Sequence, residues 1–441
     1  MARIVSRKMR LIPLVAVIFF TVSGGPYGLE PLLVYAGKHG ALLLLLTVPL
    51  LWDIPAIATV LELNSMMPVT GGYYQWVKRA LGMRFAFYEG WWTWLYTFVD
   101  LAIYPVLFVE YASFLFPGIE AYKIPVCLCI IWFGAGLNIL GVVPVGKTAL
   151  VLSVLVLLPF LLLFVKGVFL FKGVTAIPTP SLSGIGFSSL GMALYTVMWN
   201  FIGWDNATTY AGEVEKPART YIYSTLIAFG CIVLVYTLAV VTADVSGMDL
   251  GHLNEKGFPA LGEWVGGKWL GTVLAMGGMA STLGLFAAIL LSVSRVPKAM
   301  ADDRLLPAIL QKEHPRYQTP YLSVLICAGV VSCMILWTFS DLLVIDIILY
   351  GAGLLLEFIS LLVLRIKAPN EPRPFKIPLN TLGICIMIAL PVVVWVIALS
   401  GALSSSDSIV KAAIFGLSAL VSAEVIWQGI RLYRRNRNEG R

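Results

Sequence analysis

Acidic residues recur where the surrounding sequence is almost entirely apolar: Glu30, Asp53, Glu62, Glu89, Asp100, Glu110, Asp205 and Glu357. A carboxylate near the centre of a hydrocarbon layer costs about 2.5 to 3.5 kcal/mol, so each one asks for a cation, a proton or a hydrogen-bonding role. The same stretches hold few basic residues, and Lys147, Lys166 and Arg365 stand near the ends of apolar runs, where long side chains reach the interface. An excess of carboxylates over internal cations is complementary to ammonium groups, because opposite charges in a poorly hydrated space keep one another ionised. Tyr27, Tyr104, Trp199 and Trp204 add ring faces for a cation, worth about 0.5 to 2 kcal/mol each. This chemistry is amine binding rather than bond making. No phosphate-binding glycine loop, metal-ligand spacing or nucleophile arrangement occurs, so neither an enzyme nor a cofactor is expected.

Two interruptions carry the strongest of these residues. The first is Ser23-Gly24-Gly25-Pro26-Tyr27-Gly28, where glycines permit unusual backbone and proline removes a donor; Glu30 follows it. The second is Trp199-Asn200-Phe201-Ile202-Gly203-Trp204-Asp205. Such glycines also serve close helix packing or a kink, but a matched pair of interrupted apolar segments marks a binding site at the bilayer midplane. A half-helix beginning after the first break presents free N–H groups and a positive dipole end to a carboxylate. Asp100 stands mid-way along an apolar run, one turn before Tyr104-Pro105. Glu213, in Ala211-Gly212-Glu213-Val214-Glu215, is read as a gate residue paired with Arg or Lys, and the segment holding Arg295 and Lys298 as a solvated loop.

The elements that must position these groups are membrane-spanning helices. Of 441 residues, 59% are hydrophobic and only 12% charged, against roughly 25% charged in soluble domains, and the mean hydropathy is +0.88. Twelve apolar runs are long enough to cross a bilayer: 11–36, 40–63, 84–115, 124–142, 147–171, 188–211, 220–243, 267–294, 320–339, 343–364, 378–400 and 409–432. Unbroken apolar runs exclude the alternation of a β-barrel, so the fold class is all-α, one transmembrane domain. The interrupted runs are the first and the sixth. That spacing predicts a five-plus-five inverted repeat, about 11–171 and 188–364, followed by two additional helices at about 378–432.

Basic residues set the orientation. With the N-terminus inside, 24 of the 31 Lys and Arg fall on the cytoplasmic side and 7 outside, so both termini are expected in the cytoplasm of a multi-pass cell-membrane protein. The net charge of +7 therefore reflects topology, and nucleic acid is not an expected partner. The first run is read as a retained helix rather than a cleaved signal, because cleavage would contradict this tally. The six cysteines show no metal spacing.

These motifs resemble the amino acid, polyamine and organocation transporter superfamily, and within it plant-type polyamine uptake transporters and the L-type amino-acid transporter relatives. The matching stretches are Val22 to Glu30, Gly71-Gly72-Tyr73, Asp100 with Tyr104-Pro105-Val106-Leu107-Phe108, Trp199-Asn200, Trp204-Asp205, Ala211 to Glu215, and Arg373-Pro374-Phe375-Lys376-Ile377-Pro378. The resemblance implies a LeuT-like bundle of twelve helices and alternating access around a site between helices 1, 3, 6, 8 and 10. In bacterial arginine and putrescine exchangers of that superfamily, a Trp at the position of Trp199 stacks on cargo and a Glu at that of Asp205 handles charge. The position of Asp100 contacts substrate there. The substrate-binding set expected here is Ser23, Gly24, Gly25, Tyr27, Gly28, Glu30, Asp100, Tyr104, Trp199, Asn200, Phe201, Gly203, Trp204 and Asp205, with Asp205, Glu213, Ser281 and Thr282 as coupling or gating residues.

Two departures matter. No Cys stands near Phe116-Pro117-Gly118-Ile119, where relatives linked to a glycoprotein have one, so no disulfide-linked heavy chain is expected. No Lys stands at Leu157-Leu158, where some proton-coupled relatives have one, which leaves coupling to H+ or Na+ open; Ser281 and Thr282 are the sodium-site residues to test. The expected cargo is a polyamine. An amino acid, its carboxylate on the N–H groups of Gly24 to Gly28 and its amine on Asp205, is the alternative; a nutrient sensor that does not transport is a more remote one.

Overall fold

With no water to satisfy it, a backbone inside hydrocarbon closes its own hydrogen bonds as helix. Among the described residues of the computed structural model, 8–170, 180–335 and 339–439, the chain is helical and contains no β-strand. Nine helices in that set are long and apolar enough to cross a membrane, and Leu11–Val22 and Tyr321–Met334 are shorter apolar helices. In chain order the elements are α1 (Leu11–Val22), α2 (Glu30–Val48), α3 (Ile54–Met66), α4 (Gly72–Leu81), α5 (Met83–Leu115), α6 (Lys123–Ile139), α7 (Val142–Leu170) and α8 (Phe187–Trp199). They continue as α9 (Pro217–Val245), α10 (Leu250–Gly266), α11 (Lys268–Val293), α12 (Arg295–Asp302), α13 (Tyr321–Met334), α14 (Phe339–Lys367), α15 (Thr381–Ala402) and α16 (Asp407–Glu439).

Both anticipated interruptions are present. The first apolar run stops as helix at Val22 and resumes at Glu30, and a single residue, Gly37 at φ 63°, then turns the chain into the next crossing. That crossing passes through a π-helical turn, Pro49–Asp53, before α3. The second interruption is deeper than a kink. After Trp199 the chain leaves the α-helix, turns at Gly203 (φ 93°) and continues only as two 3-10 turns, Asn206–Thr209 and Ala211–Glu213. Threonine hydroxyls hold this tight path: Thr208 Oγ1 donates to the Asp205 carbonyl at 2.6 Å and Thr209 Oγ1 to the Asn206 carbonyl at 2.9 Å.

Helix α11 runs through the middle, packed on α5, α7 and α1. Small residues make that approach possible: a Cβ on Gly284 would lie 2.4 Å from Phe20, and one on Gly278 would lie 2.6 Å from Tyr111. On the far side of α5 lies α14, so α5 and α14 enclose the acids carried by both.

The segment from Arg295 is solvated beyond Asp302, where Arg304, Lys312 and Arg316 are exposed, but its start is not a loop. It folds as α12, and Arg295 is buried, donating from Nε to Glu213 at 3.2 Å and from Nη1 to the Leu291 carbonyl at 2.9 Å. The expectation failed at Arg295 because five basic residues in one segment read as polar surface, whereas this guanidinium lies over the end of α11 and finds its acceptors there. Next to it, α4 is fastened by Lys78 and Tyr74, which both donate to Asp303. Burial, and then that hydrogen bond, push the Tyr74 hydroxyl well above its ordinary value.

Glu62 is the anchor of the neighbouring corner. Its carboxylate is fully buried and accepts from Arg365 Nε (2.6 Å), Arg373 Nε (3.1 Å) and the Ile377 N–H (2.8 Å), so the Arg373-to-Pro378 segment clasps the end of α3. Removing it strands two guanidinium groups beside each other. Glu62→Ala is expected to cost about 3 to 5 kcal/mol, read as a lowered melting temperature of the purified protein, whereas Lys298→Gln, at a partly exposed i,i+4 pair, should cost under about 1 kcal/mol. Equal melting temperatures for the two variants would contradict this account.

Candidate functional site

The two breaks cross in contact, through backbone at Gly203 and through the Trp199 ring at Gly28. A Cβ on Gly203 would stand 2.5 Å from the Thr21 carbonyl oxygen, and one on Gly28 would stand 2.8 Å from the Trp199 ring. Only glycine admits both approaches, and both positions have positive φ as well. Asn200 ties the two segments, its Nδ2 donating to the Gly28 carbonyl at 3.3 Å while Tyr236 Oη donates to the Asn200 carbonyl at 3.0 Å.

Between the breaks and α5 lies a closed cavity lined by Thr21, Val22, Ser23, Tyr96, Asp100, Tyr104, Trp199, Asn200, Ile202, Asn206 and Leu285. Its space, about 10 Å³, is that of one water. Asp100 is its charged group. Tyr104 Oη donates to Asp100 Oδ1 at 2.5 Å, and the Trp199 indole also bonds this carboxyl, so the ring that covers Gly28 is oriented by the acid. Tyr96 Oη donates to Asn206 Oδ1 at 3.0 Å and forms the opposite wall.

Glu30 does not enter this cavity. It stands at the first turn of α2 and accepts from the Gly28 N–H at 2.8 Å and from the Phe258 N–H of α10 at 3.2 Å. The chain's own carboxylate thus occupies the positive end of the half-helix. Two further donors of the break are engaged: Gly24 N–H bonds the Phe19 carbonyl and Gly25 N–H bonds Ser23 Oγ, at 2.9 and 3.0 Å.

Asp205 sits on the other side of the Tyr96–Asn206 wall. Tyr350 Oη donates to it at 3.0 Å while receiving the Gly203 N–H at 3.2 Å, and Glu357 of α14 and Glu89 of α5 lie within electrostatic reach. Three expected cavity residues point elsewhere. Tyr27 donates to the Leu274 carbonyl at 2.6 Å and packs among Tyr111, Phe160 and Phe258. Phe201 packs edge-on against Tyr236, and Trp204 donates to Asp53 Oδ1 at 3.0 Å beside Phe229. Of the residues read as gating or coupling, Glu213 faces Arg295, Ser281 Oγ is buried without a hydrogen-bond partner beside Gly24, and Thr282 Oγ1 returns to the Met279 carbonyl.

Sequence reasoning passed over Asp346. It is fully buried in α14, neither carboxyl oxygen has a hydrogen-bond partner, and it lies within electrostatic reach of Asp100. The signal was available: Asp346, Tyr350, Gly353 and Glu357 recur at steps of three and four, one face of a helix.

Comparison with known proteins accords with this geometry. Residues 12–420 match the family described as amino acid permease. The chain is 32% identical to polyamine transporter RMV1 of Arabidopsis thaliana, over 95% of this chain and 84% of the relative. It is 35% identical to a probable polyamine transporter of the same plant, over 88% of this chain and 80% of the relative. With polyamine transporter PUT1 of Oryza sativa subsp. japonica the identity is 32%, over 98% of this chain and 80% of the relative. A bundle of apolar helices broken at two crossing glycine segments, matched to one family over nearly its whole length, therefore belongs to the amino acid permease family.

Proposed function

We propose that this chain is a secondary active transporter that carries polyamines, putrescine- or spermidine-like cations, across a cell membrane by alternating access. The observation that carries this reading is the placement of Glu30. A cargo with a carboxylate needs the N–H groups of the first break, and Glu30 already holds the Gly28 N–H. The acids beside the cavity have the opposite need: among the described residues no Lys or Arg forms an ion pair with Asp100, Asp205 or Asp346. A cargo made only of ammonium groups on an apolar chain satisfies both conditions. The names of the plant relatives support the same cargo class.

The finer architecture belongs to the same proposal. α1 with the first turns of α2, and α8 with the 3-10 turns after it, are the equivalent broken members of two inverted repeats, and α15 and α16 follow them. With both termini in the cytoplasm, α4 and α12 lie on the cytoplasmic face and α10 on the outer face. Asp100 receives an ammonium group, Trp199 covers the chain, and Glu213–Arg295 is part of the inner gate. Nothing in this scheme makes or breaks a covalent bond, and no heavy chain is part of it. An inside-negative potential of about 100 mV contributes roughly 2.3 kcal/mol per charge, or about 4.6 kcal/mol for a diamine, which favours uptake.

In proteoliposomes under an inside-negative potential, labelled putrescine is expected to accumulate saturably and to be blocked by spermidine but not by alanine. Accumulation of labelled alanine or leucine in its place would replace this reading with an amino-acid carrier. Asp100→Asn, which keeps shape and removes charge, is expected to raise the putrescine KM about 10- to 100-fold, the worth of about 1.5 to 3 kcal/mol for a charged hydrogen bond. An unchanged KM in that variant would take Asp100 out of the site.

A further inference from the structure

We propose that α5 and α14 form an acidic ladder that binds an extended linear polyamine along its length, one terminal ammonium at an Asp100–Asp346 rung and the other at a Glu89–Glu357 rung. This rests on the polyamine reading above and extends it to cargo length.

The ladder follows from spacing. On α5 the residues Glu89, Thr93, Tyr96, Asp100 and Tyr104 recur at three and four, and on α14 Asp346, Tyr350, Gly353 and Glu357 do the same. Each set is one face of its helix, and the two faces meet. Asp346 is within electrostatic reach of Asp100, Tyr96 and Tyr104, which makes the first rung. One level along, the Tyr96 and Tyr350 rings meet edge-on at 5.5 Å and Tyr350 holds Asp205. At the next level a Cβ on Gly353 would stand 3.2 Å from Glu89 Oε1, so a bare backbone faces that carboxylate, and Glu357 is within reach of both Glu89 and Asp205.

All five acids are buried, none more than 4% exposed. Four oxygens have no hydrogen-bond partner: both of Asp346, Glu89 Oε2 and Glu357 Oε2. A separate element closes the end of the ladder. Tyr73 of α4 is fully buried among Glu89, Asp205 and Glu357, and its hydroxyl makes no bond of normal geometry, although Thr93 stands beside it. The titratable groups facing the acids are these tyrosines, and among the described residues no Lys or Arg faces them. Donors, not acceptors, are what this face lacks, and a chain of ammonium groups supplies them.

The spacing also selects length. Asp100 and Glu89 are 11 residues apart on α5, and Asp346 and Glu357 are 11 apart on α14, roughly 16 Å along each axis. This matches the reach of an extended spermine-like tetra-amine and exceeds that of spermidine or putrescine, with Asp205 opposite the middle charges. The rung spacing belongs to each helix, so it persists when the helices part to admit cargo to a cavity that is closed here.

The test is inhibition of labelled putrescine uptake in proteoliposomes by spermine and by unlabelled putrescine. Spermine is expected to inhibit at about tenfold lower concentration, and Glu89→Gln and Glu357→Gln are each expected to bring the ratio of the two constants close to one. A ratio unchanged in both variants overturns the ladder. For variants that fail to fold, the native protein decides: in a series of unbranched α,ω-diamines, inhibition that strengthens until the chain spans both rungs supports it, and inhibition indifferent to length overturns it. Transport of no amine at all would instead remove the polyamine reading on which the ladder rests.

Discussion

Polar groups in the middle of this bundle have only one another to bind, because hydrocarbon supplies no water to finish an incomplete set. The crossing of the two helix breaks shows how strongly that requirement acts. Each break frees backbone donors and acceptors, and each is answered locally: Gly28 by Glu30, Gly25 by Ser23, the Gly28 carbonyl by Asn200, Gly203 by Tyr350. Once these bonds are made, few protein donors remain for the acids. Asp100 has Tyr104 and Trp199, Asp205 has Tyr350, the Asn206 N–H and Glu357, and Asp346 has no hydrogen-bonding group in place. Donors are therefore the scarce resource at the centre, and under the proposed polyamine reading the N–H groups of the cargo supply what these acids lack.

Much of this was legible in the sequence. The apolar runs, the two breaks and their five-run separation follow from composition and from Gly and Pro, which act locally. The direction in which side chains leave a break does not. Tyr27, Phe201 and Trp204 share the breaks with Gly24 and Asn200, yet they turn away from the cavity, because a segment interrupted by glycines at positive φ has no period from which to read a face. Glu30 was legible as an acid near the break. That it caps its own helix depends on α10 bringing the Phe258 N–H alongside, a contact between segments more than two hundred residues apart. Asp346 was the reverse case, a residue on a regular helix whose period was plain, passed over among apolar neighbours.

The two closures of the cavity differ in kind. On the α10 side, Tyr27, Tyr111, Phe160 and Phe258 pack ring against ring, with centroids 5.0 to 6.4 Å apart. Opening there wets aromatic surface. On the α4 side the closure is polar. Glu213 meets Arg295, the Gly71 N–H bonds the Thr209 carbonyl at 2.8 Å, and Met9 exchanges backbone bonds with Glu213 and Glu215 at 2.9 Å each.

That polar closure constrains how the second opening happens. Because Met9 lies two residues before α1 and is bonded on both sides of Val214, α1 is tied to the segment that follows the second break. The same segment is tied through Thr209 to α4, and a Cβ on Gly72 would lie 2.2 Å from Thr208 Oγ1, so α4 rests on it with no room to slide. Movement of α1 away from the cavity must either carry the 206–215 segment with it or break the Met9 bonds and hydrate them. Water can replace each backbone bond at little net cost once it enters, but it has no comparable substitute for Arg295, whose buried guanidinium would lose the Glu213 carboxylate. In the proposed alternating-access cycle, the Arg295–Glu213 pair is thus the step that sets the resistance of this side to opening, and the backbone links around it give way in consequence.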